Sequence, residues 1–281
     1  MRAAVDFGLS NIDLLLCRDD CGLSNLVHAQ LPSRLAVNVD VLRAALAALD
    51  VELSECEQVA VTGGQHRLLP ERIEGTPIVK VDEITAIGRG GLRLAQSINP
   101  DVCEVLVVSA GSGTAVVSAR GERFEHVTGS AVGGGTLLGL CRLLIGSADP
   151  REIDALALAG DSNKVDLTIA EAIGGAVGRI PADANAVNFG RVPSLERLSF
   201  AREDLAAGVV VLVGQVIAAL AINAARAERL DRIVLVGHTM DMVSVRRVVH
   251  TVAGYYGATM LIPDTPGIAT ALGALLTAQR A

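Results

Sequence analysis

The sequence predicts an α/β protein made of two related lobes, and three observations carry this prediction. Short runs rich in Val, Leu and Ala, typical of strands, alternate with longer segments whose apolar residues recur at helical spacing. A strand, glycine turn, strand pattern occurs near residue 6 and again near residue 111. No linker, low-complexity tract or short regular repeat interrupts the chain. We therefore expect an N-terminal lobe over residues 1–102 and a C-terminal lobe over residues 103–281.

The composition allows a large core and excludes several classes of function. Hydrophobic residues make up 51% of the 281 positions, aromatic residues only 2%, and Trp is absent. The net charge of −7 and the lack of a basic cluster argue against a nucleic-acid surface. No uninterrupted apolar run reaches about 18 residues, so we expect no membrane span. The five cysteines are scattered and form no zinc-ligand set, which predicts reduced thiols and a cytoplasmic protein.

The N-terminal lobe is expected to open with a β-hairpin. Residues 3–8 form a strand that runs into a turn, and residues 11–17 form the returning strand. The hairpin turn carries Asp6, Gly8 and Ser10, which on their own are compatible with an ordinary turn. Later patterns predict a helix over residues 41–49 and a strand ending in a glycine turn over residues 58–64. They also predict a strand over residues 77–81 and a glycine-crowded helix over residues 84–94.

The stretch from Val107 to Thr136 is the centre of the predicted site. An apolar strand leads into a small-residue turn, and a second strand follows over residues 115–117. The hairpin tip consists of Gly111, Ser112, Gly113 and Thr114. Such a tip allows a phosphate to approach the backbone, because glycine has no Cβ. A single glycine motif is weak evidence, since many glycine loops are only tight turns.

A second glycine loop opens the helix that follows. It consists of Gly133, Gly134, Gly135 and Thr136, and leucines at helical spacing come directly after it. Free N–H groups and the positive end of the helix dipole make such a start an anion site. The order strand, GSGT, strand, GGGT, helix is more specific than either motif alone. We therefore expect both loops to hold one polyphosphate.

The remainder of the C-terminal lobe combines a polar segment with buried elements. Residues 150–200 are polar and broken by prolines, and residues 202–229 form a long apolar helix whose small side chains suit close helix packing. We expect a buried strand over residues 232–236 and an amphipathic helix over residues 244–252. A short strand over residues 260–263 and a closing helix over residues 267–276 follow.

The segment HVTGSAVGGGTLLGLCRLL, residues 126–144, resembles the corresponding stretch of the type II pantothenate kinases. The resemblance continues through GDSNKVDL, AVNFG, REDLAAGVVVLVGQ, IVLVGH and GIATALGALL, in the family's order. It implies the two-lobed, ribonuclease H-like fold of the actin-like ATPases and sugar kinases. It also implies a cytoplasmic homodimer that transfers the γ-phosphate of ATP to a small molecule. With pantothenate as the acceptor, this reaction is the first step of coenzyme A biosynthesis.

The resemblance assigns roles to individual residues. Asp6 would hold Mg²⁺ through water, and Gly8 and Ser10 would approach the phosphates of ATP. Gly237 and His238 would contact the adenosine. Glu83 would be the catalytic base, because a carboxylate at a strand end can reach a hydroxyl in a cleft; by spacing alone, Asp82 and Glu83 would be assigned to stabilising a helix N-terminus.

The substrate pocket is assigned by the same resemblance to His126, Thr128, Gly129 and Asn188. Three positions depart from the family pattern: Leu9 replaces a glycine, Asp13 replaces a basic residue and His126 replaces an arginine that binds the substrate carboxylate. The run GLSNIDLLL resembles the first turn of hydantoinase-type and reactivase-type members of the superfamily. Two alternatives therefore remain open: a weak or inactive relative that binds a nucleotide or a pantothenate-like metabolite, and a reactivase-type ATPase.

Overall fold

The structure is a computed structural model that describes residues 1–18, 22–33, 36–196 and 199–280. Its first sheet contains six strands in the spatial order β3-β2-β1-β4-β6-β5. Strands β1 to β3 pair antiparallel, while β4 and β6 continue parallel to β1. The strands are β1 Arg2–Phe7, β2 Asn11–Cys17, β3 Val27–Pro32, β4 Gln58–Gly63, β5 Arg72–Ile73 and β6 Thr76–Lys80.

The second sheet contains five strands in the order β13-β12-β7-β8-β9. Strands β7 to β9 form an antiparallel meander, and β12 and β13 extend it in parallel with β7. A separate two-stranded ribbon lies between β9 and β12 in the sequence. The remaining strands are β7 Glu104–Ala110, β8 Thr114–Arg120, β9 Arg123–Ser130, β10 Leu167–Thr168, β11 Asn185–Val187, β12 Arg232–Val236 and β13 Thr259–Leu261.

Eight α-helices cover the faces of these sheets in the described residues. They are α1 Val39–Ala47, α2 Glu83–Ile98, α3 Gly134–Ile145, α4 Pro150–Ala159, α5 Ile169–Ile173, α6 Arg202–Glu228, α7 Val243–Tyr256 and α8 Ala269–Ala278. Asn38 and Asp82 cap α1 and α2 through their side chains, because each accepts a hydrogen bond from a first-turn N–H group. The α/β class and most predicted elements are thereby confirmed. Strands β3, β5, β9, β10 and β11 and helices α4 and α5 were missing from the prediction.

Helix α6 forms the centre of the largest hydrophobic cluster. It packs against α3, α4, α7 and strand β7. Its small residues serve these contacts: a Cβ on Gly208 would overlap Val165, and one on Gly214 would lie 2.7 Å from Val248. By length and composition α6 could cross a membrane, but 61% of its most apolar window is buried inside the protein. The small-residue faces of α6, which suggested a dimer contact, therefore mainly pack against other elements of the same chain.

Helices α2 and α8 cross between the two sheets at a pair of glycines. A Cβ on Gly90 of α2 would overlap the carbonyl of Ala269, and a Cβ on Gly273 of α8 would overlap the carbonyl of Ala86. The two backbones therefore touch without intervening side chains. Helix α2 also packs on β7, β8, β9 and β12 of the second sheet, while α8 packs on β1, β2 and β4 of the first. The division of the chain at residue 102 stays a prediction.

The cysteines differ from the prediction of reduced thiols at one position. Cys56 and Cys141 are buried and free, and Cys103 is exposed and free. Cys17, at the end of β2, is disulfide-bonded, so the prediction is wrong for this residue. Composition alone does not show which cysteines the fold brings together. Cys21 lies outside the described residues.

Candidate active site

A cleft of about 700 Å³ lies where the two sheets face each other. Four chain segments from both sheets supply most of its polar lining: the β1–β2 hairpin, the start of α2, the β7–β8 hairpin and the turn after β12. They bring together Asp6, Gly8, Ser10, Asp13, Glu83, Gly111, Ser112, Gly113, Thr114, Gly237 and His238, which were singled out separately in the sequence. The predicted nucleotide residues therefore converge, except for Gly133 and Thr136, which lie outside the cleft lining.

The tips of the two hairpins touch inside this cleft. The hydroxyl oxygens of Ser10 and Ser112 lie 2.8 Å apart, although the residues are separated by 102 positions in the chain. A Cβ on Gly8 would lie 2.6 Å from the carbonyl oxygen of Asn11, so only glycine fits this tight turn. The hydroxyl of Ser33 donates to the Gly8 carbonyl at 2.7 Å and fixes the turn from behind. A phosphate chain entering the cleft would meet both tips together.

The triglycine loop supports the second tip from below. The N–H groups of Gly134 and Gly135 donate to the carbonyls of Gly111 and Ser112 at 2.8 and 2.9 Å. A Cβ on Gly133 would lie 2.7 Å from the backbone of Gly113, which explains why the loop has no side chain there. The prediction that these N–H groups are free to bind a phosphate is wrong, because the hairpin backbone already occupies them.

Thr136 has the same supporting role. Its hydroxyl donates to the carbonyl of Ala131 at 3.1 Å and accepts the Gly133 N–H at 3.4 Å. It is absent from the cleft lining, whereas Gly134 and Gly135 reach its edge. The glycine-rich order read in the sequence is thus a scaffold for the β7–β8 tip.

A row of polar side chains crosses the first sheet on its cleft side. Strand register places Gln30 of β3 opposite Asp13 of β2, Asp13 opposite Asp6 of β1, and Asp6 opposite Thr62 of β4. Paired residues on neighbouring strands project from the same face. Two carboxylates therefore stand side by side, and like charges at such positions repel.

Histidines compensate the charge of one of these carboxylates. Asp13 is only 4% exposed; its Oδ1 lies 3.0 Å from Nε2 of His28, and its Oδ2 lies 2.9 Å from Nε2 of His238. On its other side, Nδ1 of His238 lies 2.7 Å from Oδ2 of Asp241. Burial raises the pKa of Asp13, but the bonds from His238 and His28 outweigh it and hold that pKa below its usual value.

Among the described residues, no histidine is hydrogen-bonded to the other carboxylate in this way. Burial, followed by repulsion from Asp13 and Glu83, raises the pKa of Asp6 to about 7, against a smaller lowering effect of His238. Gly63, at φ +83°, lies directly beside this group, and a Cβ there would overlap the Asp6 carboxylate. Only glycine at position 63 therefore allows the Asp6 carboxylate to keep this position, where it lines the cleft.

Asp82 and Glu83, at the start of α2, have different environments. Asp82 caps the helix by accepting the N–H of Thr85 at 3.2 Å and lies 3.8 Å from Arg67. Glu83 is exposed and lines the cleft on the same side as Asp6. The capping role expected from spacing thus falls to Asp82, and the carboxylate of Glu83 is available to the cleft.

The predicted substrate residues lie outside the lining of this cleft. His126, Thr128 and Gly129 are on β9, the edge strand of the second sheet, and only Ser130 at the end of that strand reaches the cleft. Asn188 lies further away, where its amide donates to Asn185 at 3.3 Å and to Gln215 of α6 at 3.2 Å. Three of the four predicted substrate residues therefore lie on β9, and the fourth, Asn188, lies against α6.

A family comparison agrees with the arrangement of this cleft. The family described as Fumble matches residues 92–260, which is more than half of the chain. The chain belongs to the Fumble family. The matched region begins within α2 and contains the whole β7–β8–β9 meander, the triglycine loop and the turn that carries His238.

Two curated relatives of this chain are type II pantothenate kinases. The chain is 26% identical over 226 residues to a type II pantothenate kinase of Bacillus cereus strain G9842, covering 80% of this chain and 82% of the relative. It is 28% identical over 222 residues to the type II pantothenate kinase of Staphylococcus aureus strain USA300, covering 79% and 83%. The resemblance inferred from the sequence motifs is confirmed.

Solved structures share the fold of this chain over nearly its whole length. An activator of 2-hydroxyisocaproyl-CoA dehydratase from Clostridium difficile with bound ADPNP matches with a TM-score of 0.65 at 16% identity, covering 99% of this chain and 93% of that one. A ROK family glucokinase from Streptomyces griseus in complex with glucose and AMPPNP matches at 0.63 and 14% identity, covering 100% and 99%. At such identities the likeness concerns the fold alone, and it confirms the predicted actin-like ATPase and sugar kinase architecture.

Several residues of the cleft were missing from the sequence-based prediction. Gln30, His28 and Asp241 complete the network around Asp13. Another end of the cleft is formed by Leu138, Pro150, Arg151, Asp154 and Met242. No motif marks these positions. The alternation of His28 and Gln30 in an otherwise apolar strand pattern was the one available signal for a polar strand face.

Proposed function

We propose that this protein is an ATP-dependent kinase that transfers the γ-phosphate to a hydroxyl of a small molecule, with pantothenate or an analogue as the acceptor. The observation that carries the proposal is the meeting of the two hairpin tips, at Ser10 and Ser112, in a cleft that also contains Asp6 and Glu83. Membership of the Fumble family and the names of its curated relatives support the reaction class.

The cleft suits a nucleotide polyphosphate by its backbone geometry. Nothing lies within 4 Å of the position that a Cβ on Gly111 would occupy, so the β7–β8 tip is open towards the cleft. Small residues at both tips allow close approach of phosphate oxygens to the backbone. ATP, when bound, supplies the phosphoryl group and brings Mg²⁺ with it.

Asp6 is the residue suited to Mg²⁺. Asp6 lines the cleft beside the hairpin tips, where a single carboxylate acting through water is the predicted mode. Among the described residues no group of three or more His, Cys, Asp or Glu is arranged to hold a metal. Mg²⁺ usually keeps several waters and binds proteins through one or two carboxylates together with phosphates. The cation would also lower the pKa of Asp6 from about 7.

The residues of this chain would contribute mainly positioning and charge. The two hairpin tips orient the phosphates, and Glu83 accepts the proton of the attacking hydroxyl at the mouth of the cleft. The main catalytic requirement in phosphoryl transfer is such alignment and electrostatic stabilisation. We extend the proposal to a cytoplasmic protein.

The acceptor is expected to lie along β9. His126 is four residues from Ser130, or about 13 Å along the strand at 3.3 Å per residue. Its exposed imidazole lies on this strand beyond Thr128 and beside Gly129, since a Cβ on Gly129 would lie 3.6 Å from its Nε2. This placement supports a substrate-binding role for His126, Thr128 and Gly129, and leaves Asn188 to tether residues 185–188 to α6.

His126→Arg should increase phosphorylation of pantothenate. A guanidinium forms a permanent, forked contact with a carboxylate, and such a contact is worth on the order of a hundredfold in affinity. We therefore expect the unmodified protein to phosphorylate pantothenate with a high KM, and the variant to lower that KM with little change in kcat. The measurement is a coupled ADP-release assay with mass spectrometry of the product. Arg123→Lys, on the same strand and exposed, is the control.

The same assay separates the alternatives. A phosphorylated metabolite supports the kinase, whereas free phosphate alone would indicate a reactivase-type ATPase, and binding without turnover would indicate an inactive relative. The dehydratase activator shares only the fold, and family membership favours the kinase. Efficient turnover of pantothenate by the unmodified protein would contradict the role given to His126.

We also propose a homodimer, because several large apolar side chains between residues 143 and 187 are exposed. Leu143 on α3 is 83% exposed and Ile173 on α5 is 64% exposed, with Leu144, Val177 and Val187 also exposed. Exposed apolar surface of this kind favours association, and twofold pairs are the commonest soluble oligomers. Light scattering at micromolar concentration should give twice the single-chain mass of 29.0 kDa.

Leu143→Glu should shift this mass towards the monomer, because a charge would be buried in the contact. Leu68→Glu is the matched control, since Leu68 is also strongly exposed but belongs to the turn after β4 in the first sheet. A monomeric unmodified protein, or an identical response of both variants, would contradict the proposed interface.

A further inference from the structure

The cleft is strongly acidic for a site that is to hold a polyphosphate. Its lining contains five carboxylates, and the cationic side chains in that lining are Arg151 and His238. The carboxylates are Asp6, Asp13, Glu83, Asp154 and Asp241. Asp13 and Glu83 both repel the charged form of Asp6 at the end of the cleft near the β1–β2 hairpin. An unscreened carboxylate at this end would repel phosphate groups.

His238 is held rigidly beside the β7–β8 tip. Gly237, at φ +92°, allows the chain to turn close to Ala110, where a Cβ would overlap that residue's backbone. The hydroxyl of Thr239 then donates to the Gly111 carbonyl at 3.1 Å. The imidazole itself packs against Gly267, because a Cβ on that glycine would overlap the ring. The ring position is therefore fixed by backbone contacts on both sides.

The ring bridges carboxylates that belong to different sheets. Nε2 faces Asp13 on β2 at 2.9 Å, and Nδ1 faces Asp241 in the turn after β12 at 2.7 Å. The side-chain amide nitrogen of Gln30 lies 2.9 Å from Nε2. Beside a doubly protonated ring both nitrogens would be donors, so the Gln30 amide is assigned with its oxygen towards Nε2. A neutral imidazole has a single N–H, so two carboxylate partners require the doubly protonated ring. Burial lowers the pKa of His238, but Asp13 and Asp241 raise it to about 10.

We propose that protonated His238 is a positioning residue that bridges the cleft to Asp13 and cancels its negative charge, so that the site accepts a polyphosphate without a lysine or arginine near the turn of the β1–β2 hairpin. The inference rests on the proposed function. It names His238 as the residue that allows ATP to bind in a cleft containing the Asp13 carboxylate. His28 adds a second contact to Asp13 from β3. Both ring nitrogens of His238 are used by carboxylates, so its action on the phosphates is through Asp13 and through charge.

The test compares Mg·ATP affinity in four proteins by calorimetry: the unmodified chain, His238→Gln, Asp13→Asn and the double variant. Loss of the imidazolium exposes the charge of Asp13, and we expect His238→Gln to weaken binding about 10–100-fold. Asp13→Asn removes the charge itself and should bind at least as tightly as the unmodified chain. The double variant should recover the affinity of Asp13→Asn, and His250→Gln, an exposed histidine on α7, should have no effect.

Thermal stability against pH provides a second readout that does not depend on ligand. His238 has a raised pKa in the folded state, so its stabilising contribution is fully present below about 6.5 and is lost as the pH rises through about 10. The groups that face the ring are Asp13, Asp241 and Gln30, with Asp6 nearby. We expect the advantage in Tm of the unmodified chain over His238→Gln to shrink between pH 7 and pH 10.

The outcomes are distinguishable. If the unmodified chain binds no Mg·ATP, the proposed function itself fails. If it binds Mg·ATP and His238→Gln binds equally well, the inference is overturned. If His238→Gln loses affinity and the added Asp13→Asn change does not restore it, the charge-cancelling role is wrong. His238 would then contact the nucleotide directly, which is the adenosine contact that the sequence resemblance assigns to it. Recovery in the double variant supports the inference.

Discussion

Glu83→Gln should reduce phosphoryl transfer by about 10²–10⁴-fold, the usual contribution of general acid–base catalysis. Glu83 is the exposed carboxylate at the mouth of the cleft, and its neighbour Asp82 already caps α2. The amide has nearly the same size and cannot accept a proton, so the loss should appear in kcat. Binding of Mg·ATP should stay equal or become slightly tighter, because one negative charge leaves the cleft. Single-turnover kinetics and calorimetry measure the two quantities separately.

The matched control is Glu203→Gln, since Glu203 also lies in the first turn of a helix, α6, outside the cleft lining. It should retain full activity and stability within about 0.5 kcal/mol. Activity that survives in Glu83→Gln would place the base elsewhere, with Asp6 as the next carboxylate in reach of the cleft. A loss confined to ATP affinity would instead indicate that Glu83 acts on the nucleotide.

Gly90→Ala or Gly273→Ala should destabilise the whole protein by about 3 kcal/mol or more, at the upper end of the range for overpacking. Each added methyl group would overlap a backbone carbonyl of the other helix, Ala269 or Ala86, and a backbone cannot rotate away as a side chain can. Helices α2 and α8 would have to separate, which disturbs the packing of both sheets. Urea unfolding, compared at constant m-value, gives the change in free energy.

Gly139→Ala and Gly254→Ala are the controls for this prediction. Both glycines are exposed positions of helices α3 and α7, and no atom lies within 4 Å of the added Cβ. Alanine there should stabilise the protein by about 0.5–1 kcal/mol through its higher helix propensity. If the two crossing variants behave like these controls, the backbones of α2 and α8 are not in direct contact.

Local patterns were sufficient to predict elements whose side chains alternate cleanly. Both hairpins, the glycine-crowded helix α2 and the long helix α6 follow from apolar periodicity and turn residues. Strand β9 was missed because it is an edge strand with exposed polar residues, and so lacks an apolar alternation. Helix α4 was missed because just one of its ten residues, Ile153, is buried. A marginal amphipathic pattern gives little signal.

Parts of the site that depend on distant pairs could not be predicted from patterns. Asp13 and His238 are 225 positions apart, and no local rule relates a carboxylate on a strand to a histidine in a remote turn. The triglycine loop was predicted to bind a phosphate through free N–H groups, but the N–H groups of Gly134 and Gly135 are bonded to the β7–β8 hairpin. Sequence indicates that backbone N–H groups are accessible there, and only the tertiary structure shows what takes them.

The position of α8 has a consequence for how the protein folds during synthesis. Helix α8 covers β1, β2 and β4, and the Ala278 carbonyl accepts a hydrogen bond from Gln58 of β4 at 2.8 Å. The ribosome therefore completes the first sheet long before it makes the helix that buries one face of that sheet. Contacts of such long sequence separation slow folding and leave apolar strands exposed in the meantime. The strands of the first sheet lack their covering helix until the C-terminal half of the chain is synthesised. We therefore expect the two halves to become stable together rather than in order of synthesis.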